Sequence, residues 1–273
     1  MTNIAIIVED DLTWNLPLWE KTIPILIANN LNVTSIIVCK KILGKLKGKK
    51  IFIWYLLTFG LSNFLKLSIY ASIIYLKRKY KYFIKGDNRN FFDLSKKYNC
   101  NYYECNSPNE EKIINKISSL QIDIVLIMTS YILSTPIINS AKIGIINKHA
   151  SALPSNKGLF PYFWSVINKS PQGVSLHEVN SKIDSGKILF QKLEIPEKNL
   201  KSMISFYYFV FNNYSQWIIV AINNLINNQF LNYSPDLEDT YFSLPTKNDF
   251  KVFKRNRGKI ITLEDIIKCL KYS

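Results

Sequence analysis

The sequence predicts an α/β protein built on a doubly wound, mostly parallel sheet with a short C-terminal extension. Two observations indicate this class. Short apolar runs rich in β-branched residues, typical of strands buried on both faces, recur along the chain. Segments of helical character, about ten residues long, separate them and imply parallel βαβ units. At 273 residues, with 48% apolar and 20% charged side chains, the chain is long enough for one large core.

The elements follow in order from this pattern. Residues 4–8 open the chain as a short apolar run without a preceding basic stretch, which predicts a first strand rather than a signal peptide. Further strands are expected at 33–39, 101–104, 124–128 and 143–147, and a pair of adjacent strands at 173–179 and 187–195. Helices are expected at 18–29, 91–98, 110–119, 135–140 and 202–228, and a basic loop at 40–50.

Residues 51–76 are the most hydrophobic part of the chain. Their longest uncharged run has 15 residues, fewer than the ~20 needed for a comfortable transmembrane helix. We therefore expect two helices buried on the core, as an insertion at 51–80 within a domain of residues 1–228. Residues 229–273 are expected to form an extension or small subdomain. Contact of segment 51–81, which lysines flank, with a membrane surface stays open as an alternative.

The formal charge of +15 favours polyanionic partners, namely nucleic acid, anionic lipid or a phosphorylated small substrate. Only four of the 35 basic residues are Arg, the side chain suited to bidentate phosphate contacts. A biased source genome explains scattered lysines equally well. The four cysteines make no metal-binding spacing, so we expect reduced thiols and no metal site.

Both histidines of the chain lie in one short segment. Asn147 ends the strand expected at 143–147, His149 follows two residues later, and Asp184 follows His149 by 35 residues. In parallel sheets, ligands bind at the carboxyl ends of the strands. Histidine titrates near neutral pH, so this segment is where proton-transfer chemistry is expected.

The order of Asn147-x-His149, Leu153-Pro154, Gly158 and Ile183-Asp184-x-Gly186 resembles the folate-dependent formyltransferase family. The resemblance is strong over residues 122–191 and weak before residue 101. It implies a Rossmann-like formyltransferase fold, N10-formyltetrahydrofolate as donor and an amine as acceptor. It also implies that Asn147, His149 and Asp184 are the catalytic residues.

Formyl transfer gives these residue types a chemical rationale. An amine that attacks a formyl carbon generates an oxyanion, to which the Asn147 amide can donate a hydrogen bond. His149 can donate to the same oxygen or accept the proton of the amine, and Asp184 can orient the imidazole and relay the proton through water. For His177, a structural or substrate-lining role is favoured over a catalytic one.

The resemblance also implies the ligand contacts. The main chain of Ser130, Tyr131, Ile132 and Leu133 is expected to hold the pterin, with Ile183 as the opposite wall. Lys157 and Gly158 belong to a loop that frames the acceptor side. Lys157 is interpreted either as a phosphate contact or as a solvated lysine.

The positions at which the sequence departs from the family pattern narrow the choice of acceptor. Glycinamide ribonucleotide transformylases carry a glycine-rich phosphate loop after the first strand, whereas residues 9–14 are acidic and lack glycine. About 45 residues follow the helix expected at 202–228, too few for the β-barrel of methionyl-tRNA formyltransferases, which argues against tRNA. We expect a nucleotide-linked amino sugar for surface polysaccharide, formylated in the cytoplasm or at the inner membrane face. A tRNA-directed enzyme, a formyltetrahydrofolate hydrolase and a non-catalytic folate-binding protein stay open, as do the sugar and the oligomeric state.

Overall fold

The computed structural model describes residues 1–11, 13–234 and 236–271. Its strands are β1 (Thr2–Glu9), β2 (Leu31–Cys39), β3 (Ile42–Leu43), β4 (Leu46–Lys47), β5 (Asn101–Cys105), β6 (Ile124–Met128), β7 (Gly144–His149), β8 (Lys157–Gly158), β9 (Val174–Glu178), β10 (Ile188–Lys192) and β11 (Tyr241–Phe242). Its α-helices are α1 (Asn15–Ala28), α2 (Lys49–Lys85), α3 (Phe91–Lys97), α4 (Glu111–Ser119), α5 (Thr135–Ile138), α6 (Pro161–Asn168), α7 (Met203–Ile226), α8 (Lys247–Arg255) and α9 (Leu263–Lys271).

Seven of these strands form the central sheet, in the order β10-β9-β7-β6-β1-β2-β5. Five neighbouring strands are parallel, namely β5, β2, β1, β6 and β7. Strand β9 runs antiparallel to both β7 and β10. The chain winds outward from β1 through β2 to β5 and returns to the other side of β1 as β6. The predicted fold class, a doubly wound and mostly parallel sheet, is confirmed. The switch point between β1 and β6 is where such sheets bind ligands.

The apolar strands are buried on both faces, as their composition predicts. In β1, Ile4, Ile6 and Val8 pack with residues of α1 and α7, whereas Ala5 and Ile7 pack on the opposite face with α4 and α5. All five side chains are fully buried. This two-sided packing holds the carboxyl ends of the central strands in fixed positions.

Three segments differ from expectation in detail. The expected loop 40–50 contains a small hairpin, β3 paired with β4. The two-residue strand β8 pairs with β11, so the C-terminal segment adds a short ladder beside the sheet's carboxyl edge. Helix α8 then packs on α6 and α2 through Phe250 and Phe253, which are buried.

The kink at Gly60 divides this segment into two helical parts, as expected, but the expectation that they are buried on the core was wrong. Helix α2 has 37 residues, interrupted by one non-helical residue, Gly60 (φ 79°, ψ 164°). By length and composition it is apolar enough to cross a membrane, and only 17% of its most apolar 18-residue stretch is buried. Phe59 and Tyr70 attach its inner side to the protein, packing against Phe250 and Trp14. Most of its other large apolar side chains face outward, because a single helix can bury only one stripe against the domain.

Candidate active site

Strand β7 carries two of the predicted site residues at its carboxyl end. Asn147 and His149 point to one face of the sheet because side chains alternate along a strand. In the antiparallel ladder between β7 and β9, Asn147 lies opposite His177 and His149 lies opposite Ser175. The register therefore brings both histidines of the chain beside Asn147.

Asp184 lies in the turn between β9 and β10. Its backbone is in the left-handed region (φ 45°), which Asp tolerates better than most residues. Gly186, two residues on, lies so close to β9 that an added Cβ would stand 1.6 Å from the carbonyl oxygen of Glu178. A residue with a side chain cannot take this position, so the glycine of the Ile-Asp-x-Gly pattern fixes how the turn presents Asp184.

The Asp184 carboxylate is the centre of the site. One oxygen accepts a hydrogen bond from the Gly158 backbone N–H at 2.8 Å and lies 3.4 Å from Nδ1 of His149. The other lies 3.4 Å from Nε2 of His177 and 3.5 Å from the amide nitrogen of Asn147. The structure thus brings Asn147, His149 and Asp184 together, with His177 as a fourth member that contacts the same carboxylate.

The two nitrogens of His149 have different partners. Nε2 lies 2.9 Å from the carbonyl oxygen of Asn156, which can only accept a hydrogen bond, so the proton of a neutral ring belongs on Nε2. The unprotonated Nδ1 then faces Asp184. A proton that arrived on Nδ1 would lie between the imidazole and the carboxylate, where the negative charge stabilises it.

Burial and charge set the protonation of this pair. Burial lowers the pKa of His149, and the nearby Asp184 carboxylate offsets this only in part, so the imidazole is neutral at pH 7. Burial opposes ionisation of Asp184, but attraction to His149 and the hydrogen bonds from His177 and Gly158 outweigh it and hold its pKa well below the usual range. The resting site therefore pairs a neutral base with a fixed anion.

A cavity of about 1020 Å³ opens in front of these groups at the carboxyl edge of the sheet. Its lining includes all the predicted catalytic and pterin-binding residues, together with Gly158 and His177. Lys157 does not contact the cavity. Its ammonium lies 2.7 Å from the Asp239 carboxylate, and the side chain is largely buried. The interpretation of Lys157 as a solvated lysine is thus wrong, and the structure commits its charge to Asp239 rather than to an acceptor phosphate.

Gly158 serves a purpose that its sequence context does not indicate. Its φ is +92°, and an added Cβ would stand 2.2 Å from the carbonyl oxygen of Phe242 in β11. The close approach that requires glycine is therefore to the C-terminal segment, and it brings the Gly158 N–H onto Asp184.

Sequence reasoning missed three residues of the cavity region. Glu9, at the end of β1, accepts a hydrogen bond from the backbone N–H of Ser130 at 2.7 Å, and burial raises its pKa to about 7. The carbonyl of Asn156 positions His149. Lys148, between the two predicted residues of β7, also lines the cavity. For Glu9 the signal was present, since an acid closed a wholly apolar strand.

The described residues hold no group of three or more His, Cys, Asp and Glu side chains placed to bind a metal ion. What the edge of the sheet presents is an amide donor, a buried imidazole and a carboxylate beside an apolar cleft. This set can stabilise an oxyanion and accept a proton, which are the two needs of acyl-group transfer.

Comparison with known proteins identifies the domain. Residues 78–204, just under half of the chain, match the family model described as formyl transferase, so this part of the chain is similar to the formyl transferase domain of folate-dependent one-carbon transferases. The family uses formyl-tetrahydrofolate as its formyl donor. The match includes Asn147, His149 and Asp184, and it confirms the resemblance inferred from their order.

Two curated relatives match over part of the chain. The bifunctional polymyxin resistance protein ArnA of Wigglesworthia glossinidia brevipalpis is 39% identical over 94 residues, which are 33% of this chain and 14% of that protein. A methionyl-tRNA formyltransferase of Chlorobium chlorochromatii is 26% identical over 105 residues, 37% of this chain and 33% of that protein. The chain thus spans a third or less of the length of these relatives.

Solved structures share the fold over nearly the whole chain. A sugar N-formyltransferase from a Shewanella species superposes with a TM-score of 0.56 and 16% identity, covering 94% of this chain and 88% of that one. An N-formyltransferase from Helicobacter canadensis, in complex with folinic acid and dTDP-3-aminofucose, superposes with a TM-score of 0.51 and 15% identity, covering 99% and 81%. At these identities the likeness concerns the fold.

Proposed function

We propose that this chain transfers the formyl group of N10-formyltetrahydrofolate to the amine of a nucleotide-linked amino sugar. One observation carries the proposal, namely the convergence of Asn147, His149 and His177 on the Asp184 carboxylate, each within 3.5 Å. Each of these groups can contribute to the attack of an amine on a formyl carbon.

Asn147 is suited to stabilise the oxyanion. Its amide nitrogen lies 3.4 Å from Nε2 of His177 and 3.5 Å from Asp184, both at the outer limit of hydrogen bonding. The amide is therefore held in place without being saturated, and it can form a shorter bond to an oxygen that gains negative charge. A donor already positioned in this way needs no reorganisation when the charge develops.

His149 is suited to accept the proton of the attacking amine. Because Nε2 donates to the Asn156 carbonyl, Nδ1 is the basic nitrogen, and the protonated ring would form a charged pair with Asp184. Of the two roles that the sequence allowed, oxyanion donor or base, the geometry favours the base. His177 supports the same anion from the neighbouring strand.

The cavity suits a folate donor. The backbone of the turn after β6 lines it, and the Glu9 carboxylate fixes this turn through Ser130. Ile132 and Ile183 expose their side chains to the cavity, giving apolar walls to a flat ring. Bound there, the donor supplies the formyl carbon, and the chain's residues orient it and handle the proton.

The turn after β1 gives evidence about which acceptor the cavity can bind. The Asp11 carboxylate accepts hydrogen bonds from the N–H groups of Thr13 and Trp14 and pairs with Lys41 at 2.6 Å, whereas Leu12 lies outside the described residues. These N–H groups are occupied by an anion of the protein itself, which disfavours a ribonucleotide phosphate at this turn. A sugar nucleotide that enters elsewhere in the cavity fits better.

The activity test is incubation with 10-formyltetrahydrofolate and a panel of sugar nucleotides, amino sugars and other amines, with tetrahydrofolate release as readout. Release that requires an amino sugar nucleotide supports the proposal. Asn147→Ala and His149→Ala should lower the rate of release about 100-fold or more, whereas Lys198→Ala, at an exposed position outside the cavity lining, should not. No release with any amino sugar rejects it. Formate production without an amine would indicate a hydrolase, and salt-sensitive binding to initiator tRNA a tRNA-directed enzyme.

We also propose that α2 lies on the cytoplasmic surface of an anionic membrane. Exposed apolar side chains recur at every fourth position, namely Ile53, Leu57, Leu61, Leu65 and Ile69. Lysines flank them, including Lys49 and Lys50 before and Lys79 and Lys81 after, in a chain of net charge +15. Because Phe59 and Tyr70 are buried against the domain, a helix lying on the surface fits better than one crossing the bilayer.

This proposal predicts sedimentation with vesicles that contain phosphatidylglycerol, weakened by salt, and none with neutral phosphatidylcholine vesicles. The double variant Leu57→Asp, Leu65→Asp should stay in the supernatant, whereas Val220→Asp, at an exposed apolar position of α7, should sediment normally. Equal sedimentation of both variants, or none of the native protein, would contradict a membrane role for α2.

A further inference from the structure

Lys148 is a cation of the cavity that the proposed chemistry does not use. It lies between Asn147 and His149 on β7, so strand alternation turns its side chain to the opposite face of the sheet, toward α7. Its ammonium lies 4.4 Å from the centre of the Phe211 ring and 5.9 Å from that of Tyr207. The side chain is only partly exposed and lines the cavity.

The ammonium has no carboxylate partner within the described part of the chain, whereas other cations near the site do. Lys41 pairs with Asp11 at 2.6 Å and Lys157 with Asp239 at 2.7 Å. Burial lowers the pKa of Lys148 to about 8, with no nearby carboxylate to raise it. A desolvated ammonium against aromatic rings gains some cation–π attraction, but an anion would stabilise it further.

The surroundings of Lys148 form an aromatic recess. Trp14 contacts Phe211 and Tyr70, with ring centres 5.2 Å and 5.8 Å apart, so the residue that precedes α1, helix α2 and helix α7 each contribute a ring. Tyr55 and Tyr207 also line the cavity, and the Tyr207 ring is the second ring near the Lys148 ammonium. Flat aromatic walls beside a single cation suit a nucleobase that is joined to a phosphate.

The recess is separate from the expected donor side. Tyr131 and Leu133, in the turn expected to hold the pterin, pack on the sheet face of α4 and α5. Lys148 faces the other side, where Phe211 joins the clusters formed by α1, α6 and α7. An anion at Lys148 therefore belongs to the acceptor, which would reach across the end of β7 to His149.

We propose that Lys148 binds the diphosphate of the acceptor nucleotide, with the base against the aromatic rings of the recess. The inference rests on the proposed function, because it takes the acceptor to be a sugar nucleotide. Lys148 thus determines acceptor specificity, in place of Lys157, whose charge is already neutralised by Asp239.

The test is titration calorimetry of the full chain with uridine diphosphate, thymidine diphosphate and inorganic pyrophosphate. Lys148→Met should weaken diphosphate binding about 10- to 100-fold, since a hydrogen bond to a charged group is lost. Lys148→Arg keeps a cation and should bind within a few-fold of the native protein. Lys198→Met, at an exposed lysine that does not line the cavity, is the matched control and should bind normally.

Selective loss of binding in Lys148→Met, with a normal thermal melt, supports the inference. Equal binding by Lys148→Met and the native protein, or no binding of any of the three anions, overturns it. If Lys148→Met fails to fold, Lys148→Arg decides, because an Arg variant that loses all binding contradicts a simple cation site. Failure of the proposed function is distinguished by the formyl-transfer assay: a native protein that binds the diphosphates but releases no tetrahydrofolate with any amino sugar nucleotide contradicts the proposed function and not the anion site at Lys148.

Discussion

Replacing Glu9 by Gln removes a buried charge behind the turn expected to hold the pterin. Burial raises the pKa of Glu9 from its ordinary 4.5 to about 7, with the Ser130 N–H and Lys41 offsetting only part of the effect. At about 1.4 kcal/mol for each pKa unit, this difference corresponds to about 3 kcal/mol. Gln keeps the oxygen that accepts from Ser130 and does not titrate.

The direction of the pH dependence of stability follows from proton binding to Glu9. Between pH 4.5 and 7 the folded protein keeps a proton on Glu9 that the unfolded chain has lost, so the free energy of unfolding falls as pH rises. In Glu9→Gln this loss is absent. Between pH 5 and pH 8 the free energy of unfolding of the variant should therefore rise by about 2.5 kcal/mol relative to the native protein.

Urea denaturation at pH 5 and pH 8, followed by tryptophan fluorescence, measures this difference. The matched control is Glu197→Gln, at an exposed position, which should show no pH-dependent gain. A Glu9→Gln variant that is no more stable relative to native protein at pH 8 than at pH 5 would refute the burial argument. The ionised carboxylate would then be as well stabilised in the fold as in water.

Three further predictions concern the site. Asn147→Ala should lower kcat by about 100- to 1000-fold with an unchanged melting temperature, since one oxyanion donor is lost; a loss under tenfold would contradict that role. In a plot of kcat against pH, the acid limb should have its midpoint below pH 6.5, because burial lowers the pKa of His149. This midpoint should move to higher pH in Lys148→Met, because the substitution removes a positive charge that lowers the His149 pKa. It should not move in Lys45→Met. Gly186→Ala should lower the free energy of unfolding by about 2 kcal/mol or more and reduce kcat, because the added Cβ would collide with the Glu178 carbonyl. Gly144→Ala, whose Cβ would lie 3.4 Å from its nearest neighbour, should do neither. Comparable urea midpoints for the two variants would contradict the collision with Glu178.

The central sheet was predictable because its strands are continuous apolar runs. Residues 4–8 and 124–128 have no polar residue to place on a solvent face, so both had to be interior strands, and the structure has them as neighbours β1 and β6. The Asn-x-His and Ile-Asp-x-Gly patterns indicated which side chains meet through their resemblance to the formyltransferase family.

Helix α2 shows where composition misleads. Its hydrophobicity predicted a core position, yet burial depends on how much surface the neighbours offer, and one 37-residue helix finds a partner along a single stripe. Lys157 and Lys148 show the same limit for charge. Their partners, Asp239 far along the chain and the Phe211 ring of α7, are matters of three-dimensional proximity that spacing does not encode.

The sequence by itself determined the fold class, since strand periodicity is a local property, and its resemblance to the formyltransferase family indicated Asn147, His149 and Asp184. Only the tertiary structure decided that His177 joins the trio, that Gly158 approaches Phe242 and that Lys148 rather than Lys157 retains an unneutralised charge at the cavity. Each of these depends on contacts between segments distant in the chain. Such contacts arise when the core packs, because burial and charge pairing are settled by the neighbours that packing brings together.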